Sequence, residues 1–160
     1  MTELEDRIRE QEAELEAASH DGDAVQLAEL LAQLGSNLEA VGEAERGIDL
    51  ISRAVTLFEE HGDLHGLADA LNRLGSVLME VQRFDEAREV LQRAMDIARS
   101  AKDLSEEATS LNNLAIVDEM HDDLAGAHER YTRSIELLRM VGDREKLAST
   151  LSNLGVVLGQ

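Results

Sequence analysis

Apolar residues along this chain recur at i, i+3, i+4 and i+7, the spacing that lines one face of an α-helix, and the whole pattern returns every 40 residues. Leu31, Leu71, Leu111 and Leu151 fall in one column, and Leu34, Leu74, Leu114 and Leu154 in a second. Gly35, Gly75, Ala115 and Gly155 form a column of small residues, as do Ala28, Ala68, Ala108 and Ala148. A fixed period of this size marks a solenoid, whose units bury their apolar faces only against one another. The spacing predicts helices paired as 24–41 with 43–60, 64–81 with 84–101, and 104–120 with 124–141. The fold class is all-α, an α-solenoid of antiparallel helix pairs. Residues 1–160 read as one domain: a capping helix at 2–19, repeats at 24–60, 64–101 and 104–141, and a half repeat at 144–159.

The first helix, TELEDRIREQEAELEAAS, is highly charged. Its apolar stripe is narrow (Leu4, Ile8, Leu15, Ala18), and Gln11 interrupts the seam, so a polar cap over the first repeat is expected. Its first-turn acids suit the positive end of a helix dipole. His20-Asp21-Gly22-Asp23 reads as a turn. Further turns are expected at Gly62-Asp63, Lys102-Asp103 and Gly142-Asp143, where Gly permits the left-handed helix end and Asp caps the next helix. Gly within a helix costs ~1 kcal/mol relative to Ala. The small column at 35, 75, 115 and 155 therefore implies close backbone approach, with Ala54, Ala87, Ala94 and Ala127 as the opposing small surface.

Composition narrows the function. Aromatics are 2% of residues, so the core must be Leu, Val, Ile and Ala, and the absence of Pro fits a chain that is nearly all helix. With no Cys, disulfides and thiolate zinc sites are excluded, and a cytoplasmic setting is compatible. No stretch of ~20 apolar residues can span a bilayer. The net charge of −19 repels nucleic acid and anionic lipid, so neither is an expected partner. It suits a solvated acidic exterior or a basic protein partner.

The second repeat reads L-x-x-L-G-x-x-L, followed 12 residues after its Gly by A-x-x-x-L and a further Ala, and the Asn-bearing motifs LNRLG, LNNLA and LSNLG recur in register. This pattern resembles the tetratricopeptide repeat over about residues 24–160, with Leu71, Leu78 and Leu91 where the family usually has Trp, Tyr and Phe. The 40-residue period and the missing terminal Pro look like the long-helix subgroup that includes kinesin light chains, animal spindle-orientation adaptors and many bacterial regulators. The resemblance implies a right-handed superhelix with the first helix of each pair on its concave wall, where family members bind peptides or partner proteins.

On that wall, helix direction places Gln33, Ser36, Asn72, Arg73, Ser76, Met79, Asn112, Asn113, Ile116, Ser152 and Asn153. An amide offers a donor and an acceptor, so the Asn ladder suits an extended peptide backbone, and Arg73 suits a carboxylate. The alternatives are bonding within the helix stack and, for Arg73, pairing with Asp69 at i−4. Arg73 is the only basic residue on the wall, so the family's carboxylate clamp is not reproduced. His61 with His65, and Asp118 with His121 and Asp122, have spacings open to a metal, but capping and solvation are the simpler reading; no metal or cofactor is expected. No nucleophile motif or phosphate loop is present, so the chain is not expected to be an enzyme.

The last helix has no successor, which leaves Leu147, Leu151, Leu154, Val157 and Leu158 as a self-association edge. The leading reading is a non-catalytic scaffold that binds a peptide or helix of a partner protein in its concave groove. The alternatives are a self-assembling module, homodimeric through the last helix, and a regulatory fragment of a larger signalling or transcription protein.

Self-repulsion among so many acids opposes the folded state, and salt screens it. The melting temperature is expected to rise as ionic strength goes from ~0.01 to ~0.15 M and the Debye length shrinks from ~30 to ~8 Å. Calorimetry over that range checks this; a flat response would mean the charges are already neutralised in pairs.

Overall fold

The computed structural model describes residues 2–21 and 23–159, with backbone only for 18–21. Ala18 and Gly22, parts of the expected cap stripe and turn, lie outside the side chains and residues described. Eight helices and no strand appear among the described residues: α1 (Glu3–Asp21), α2 (Ala24–Ala40), α3 (Ala44–His61), α4 (Leu64–Glu80), α5 (Phe84–Ala101), α6 (Leu104–Met120), α7 (Leu124–Val141) and α8 (Arg144–Leu158). The expected boundaries hold to within a residue or two. The exception of note is α1, which runs on through His20 and Asp21 as helix.

Each boundary has a local cause. Asp23, Asp63, Asp103 and Asp143 form one column, and each side chain accepts a hydrogen bond at 3.0 Å from a backbone N–H in the first turn of α2, α4, α6 and α8. Gly62 and Gly142 close α3 and α7 in the left-handed region, and Lys102 does the same for α5 at φ 57° without glycine's freedom. The turn inside each repeat uses a second left-handed residue, Gly42, Gln82 and Asp122 in register.

Each first helix packs against its own second helix, and the apolar columns form a core that runs from α2 to α8. First helices also touch one another, α2 with α4, α4 with α6 and α6 with α8. The second helices α3, α5 and α7 have no Cα atoms within 8 Å of each other. Two layers with unequal spacing must curve toward the closer one, so the first helices form the inner wall.

The small columns set how closely a pair can pack. A Cβ placed on Gly47 would lie 2.5 Å from the Gly35 carbonyl oxygen, and one on Gly35 would lie 2.5 Å from Ile51 Cγ1. At Gly75 the obstacle is the side chain of Leu91, and Ala115 is fully buried in a cluster with Ala127 and Tyr131. The fourth position departs from expectation. A Cβ on Gly155 meets nothing within 4 Å, since among the described residues no second helix packs on α8.

In the amino-terminal cap the break in the seam has its own partners. Gln11, which breaks the apolar seam of α1, is buried, accepts a 2.7 Å hydrogen bond from Asn37 and donates to Gln33. Beside it, Ile8 packs on Leu34 and Leu38. The break is therefore a polar fastening of α1 to α2.

A backbone carbonyl cannot rotate out of the way, whereas a leucine side chain can. Gly47→Ala is accordingly expected to lose about 1–3 kcal/mol of stability. Gly75→Ala should stay within ~1 kcal/mol of the parent, because the better helix propensity of Ala offsets the repacking. Urea unfolding of both variants checks the difference, and equal losses would contradict the account.

Candidate functional site

The inner wall is crossed by polar contacts that run from each first helix to the next. The Arg73 guanidinium bonds Asp69 on its own helix at 2.7 Å and reaches Ser36 on α2 at 3.4 Å. Asn113 donates to Ser76 on α4 at 3.4 Å, Asn112 donates to Asn113 at 3.3 Å, and Asn153 donates to Asn112 at 3.2 Å. Four first helices are thus linked by an amide and hydroxyl ladder. Asn112 and Asn153 are half-buried and keep hydrogen-bonding capacity toward the wall, since an amide can make four bonds.

Some residues expected on the wall sit elsewhere. Asn72 is buried between α4 and α6, where it donates to Glu106 Oε2 at 2.9 Å and accepts from Ser110 at 2.8 Å. It fastens two helices and offers nothing to a ligand. Asn113 is also buried, at 8% exposure. Arg73 takes the i−4 pairing with Asp69. Gln33 and Ser152 are exposed; Ser36, Ser76, Met79 and Ile116 are half-buried, Met79 and Ile116 leaning on the core.

Gln33 and Arg73 share a cleft of about 360 Å³ between α2 and α4, together with Gln26, Glu29, Leu30, His65 and Asp69. His65 Nδ1 is 2.5 Å from Asp103 Oδ2, across to the cap of α6. That hydrogen bond holds the imidazole above its ordinary pKa against the opposing effect of burial. The carboxyl of Asp103 is held low by backbone hydrogen bonding from Glu106 and by the His65 contact, which outweigh its desolvation.

The edge at α8 is only partly open. Val157 is buried, which corrects its place in the expected edge: it packs with Ala115, Ala127 and Tyr131 of the third repeat. Leu147 and Leu154 are half-buried against the preceding helices. Leu151 and Leu158 remain 43% and 68% exposed.

The outer face holds a feature that the repeat pattern encodes but the column reading passed over. Glu107 stands where repeats one and two have Leu27 and Leu67, and Asp118 where they have Leu38 and Leu78. Asp118 is 1% exposed and receives Arg88 from α5 at 2.7 Å and Arg130 from α7 at 2.6 Å. Glu107 receives Arg99 at 2.8 Å. These arginines, with Arg133, line a groove of about 470 Å³ between α5 and α7. Acids in two Leu columns of one helix were the available signal. The other residues weighed for a metal have partners too: His61 and His121 bond the backbone carbonyls of Leu57 and Val117. Among the described residues no cluster of three or more His, Cys, Asp or Glu is arranged for a metal.

Residues 66–140, most of α4 and all of α5 and α6 with nearly all of α7, match the tetratricopeptide repeat family model. Over that stretch the chain is similar to tetratricopeptide repeats. Solved structures extend the likeness to the rest of the chain. BtubC (BKLC) from P. vanneervenii is 23% identical with a TM-score of 0.82, over 98% of this chain and 66% of its own. A Rap protein complexed with competence and sporulation factor is 13% identical with a TM-score of 0.84, over 94% of this chain and 42% of its own. Aspartyl phosphate phosphatase F from Bacillus subtilis is 14% identical with a TM-score of 0.85, over 97% and 42%. At these identities the likeness is one of fold, and the chain spans between 42% and 66% of the length of these structures. No curated protein sequence matches. Repeats of this family are generally non-catalytic interaction modules, although one neighbour carries a phosphatase name. Among the described residues no helix is long and apolar enough to cross a membrane.

The His65–Asp103 pair gives a pH signature for this cleft. With the imidazole pKa raised in the folded state, its contribution to stability is complete below the unfolded value of ~6.5 and fades as pH rises through the higher folded value. An NMR titration is expected to place the His65 midpoint above that of an ordinary histidine. Asp103→Asn, which keeps a capping side chain, should bring it back to ~6.5. An unchanged midpoint in that variant would remove Asp103 as the cause.

Proposed function

We propose that this chain is a non-catalytic scaffold that takes a peptide or helix of a partner protein along its inner wall. The reading rests on one observation: neighbouring first helices are joined by a polar ladder yet leave an open cleft between α2 and α4, lined by Gln33, Asp69, Arg73 and His65. Since the Arg73 charge is already met by Asp69, the cleft favours hydrogen-bond donors and cationic side chains over a carboxylate. Glu29 adds to that preference, as does the net charge of −19. Asn112 and Asn153 would bond the peptide backbone further along, and Met79 and Ile116 would meet its apolar side chains. A cytoplasmic setting fits this role. Residues 24–141 would act as one preformed wall closed by α1.

The test is a peptide selected from a random library on the purified chain, with affinity then measured by calorimetry. Gln33→Arg places bulk and positive charge in the cleft at an exposed position, so it should weaken that peptide at least about tenfold, ~1.4 kcal/mol. Thr132→Arg on the outer helix α7 should leave binding unchanged. Equal affinity in the two variants would rule out the α2–α4 cleft.

A further inference from the structure

The two grooves between successive second helices correspond column by column in sequence but differ in charge. Between α3 and α5 an ion pair crosses the rim, Arg93 of α5 with Glu59 of α3 at 2.7 Å. One repeat on, the same two columns hold Arg133 of α7 and Arg99 of α5. Two cations cannot make that pair. Arg99 turns instead to Glu107, and Arg133 takes Glu136 on its own helix. The floor changes as well: Ile48, Leu78 and Val90 of the first junction give way to Arg88, Asp118 and Arg130. Stability alone does not account for the exchange, since a buried ion cluster is often no more stabilising than well-packed apolar side chains. The outcome is the groove of about 470 Å³ with guanidiniums on both of its sides.

We propose that this groove binds a phosphate group, held between Arg99 of α5 and Arg133 of α7 in the place that Glu59 fills for Arg93 one repeat earlier. Each of the four arginines lining it gives a single N–H to a carboxylate, so most of its five donors stay unspent. Arg99 and Arg130 do so through Nε, which leaves both terminal nitrogens for a ligand. At the floor Asp118 is shared by Arg88 and Arg130, one carboxylate to two guanidiniums. Gly126 keeps the space above it clear: a Cβ there would lie 3.2 Å from Asp118 Oδ2, and its column holds Arg46 and Glu86 in the earlier repeats. The other acids of the lining are Asp123 and Glu129. Asp123 caps α7, accepting from Gly126 at 2.9 Å, where the positive end of the helix dipole offsets its charge. Glu129 is exposed. A phosphate suits forks converging from two helices better than a carboxylate does, with three acceptor oxygens and a charge of about −1.5 to −2. The distant acids of the −19 chain oppose it weakly, because salt at ~0.15 M screens charges beyond ~8 Å. Free phosphate and a phosphorylated side chain of a protein offer the same chemistry.

An NMR titration of the 160-residue chain at constant ionic strength tests the site with inorganic phosphate, acetate, and one short peptide in serine and phosphoserine forms. Phosphate should shift the Nε–H signals of Arg99 and Arg133 saturably while that of Arg93 stays put, and acetate at equal concentration should not. A phosphoserine peptide that binds more tightly than inorganic phosphate, with the serine form silent, assigns the site to a phosphorylated protein; the reverse order assigns it to free phosphate. Glu107→Leu releases Arg99 and should leave phosphate binding intact or tighter. Adding Arg99→Glu to it returns both columns to the residue types of the preceding repeat, so the fold is kept, and binding should weaken at least about tenfold. Arg133→Gln, at an exposed position, should give a loss of its own, and Arg93→Gln none. The proposal is overturned by a chain that shows no saturable response, by shifts spread evenly over Arg93 and other exposed arginines, or by acetate binding as well as phosphate. Arg133→Gln binding like the parent would overturn it too. The groove lies on the outer face, so none of these outcomes bears on peptide binding at the α2–α4 cleft.

Discussion

The structure depends on how near two helix backbones can come when neither carries a side chain of any size at the crossing. Gly35 and Gly47 meet so closely that neither has room for a methyl group. In the next repeat the pair is Gly75 with Ala87, and in the third Ala115 with Ala127, so the crossing can loosen while the column stays small. The curvature of the array, and therefore the existence of an inner wall, follows from this spacing: first helices reach one another only because each is drawn tightly against its own second helix.

Much of the fold was legible because the same pattern is written several times. Leu31, Leu71 and Leu111 carry little information alone, but together with the Ala and Gly columns they fix the period, the pairing and the positions of the turns. The Asp column at 23, 63, 103 and 143 gave the starts of four helices for a chemical reason, since each carboxylate accepts from its own first turn. Lys102 broke the Gly pattern in sequence, and the chain accepts it by holding a lysine in the left-handed region.

The site was less legible, because a column states which residues share a helix face but not which of them bond across to the next repeat. Asn72 and Asn112 look equivalent at 40-residue spacing, yet Asn72 is saturated by Glu106 and Ser110 while Asn112 remains half-open. The difference comes from residues one repeat away. Val157 was misjudged for a related reason: in a stack, a residue on the side facing the preceding repeat is buried by that repeat alone. Within the acidic chain several arginines bridge helices, as Arg46 with Glu12, Arg93 with Glu59 and Arg130 with Asp118 show. The exposed pairs, Arg46–Glu12 and Arg93–Glu59, contribute little each.

The buried carboxylate of Asp118 has a consequence for how so repetitive a chain avoids assembling wrongly. Units this alike can trade places during folding, and a slip by one unit would preserve nearly all of the apolar contacts. Asp118 prevents the exchange from being neutral. Docked against any helices except those that bring Arg88 and Arg130, it would be an uncompensated interior charge, a penalty of about 3–5 kcal/mol. The most deeply buried carboxylate among the described residues thus works as a key, marking the third unit as the occupant of its place.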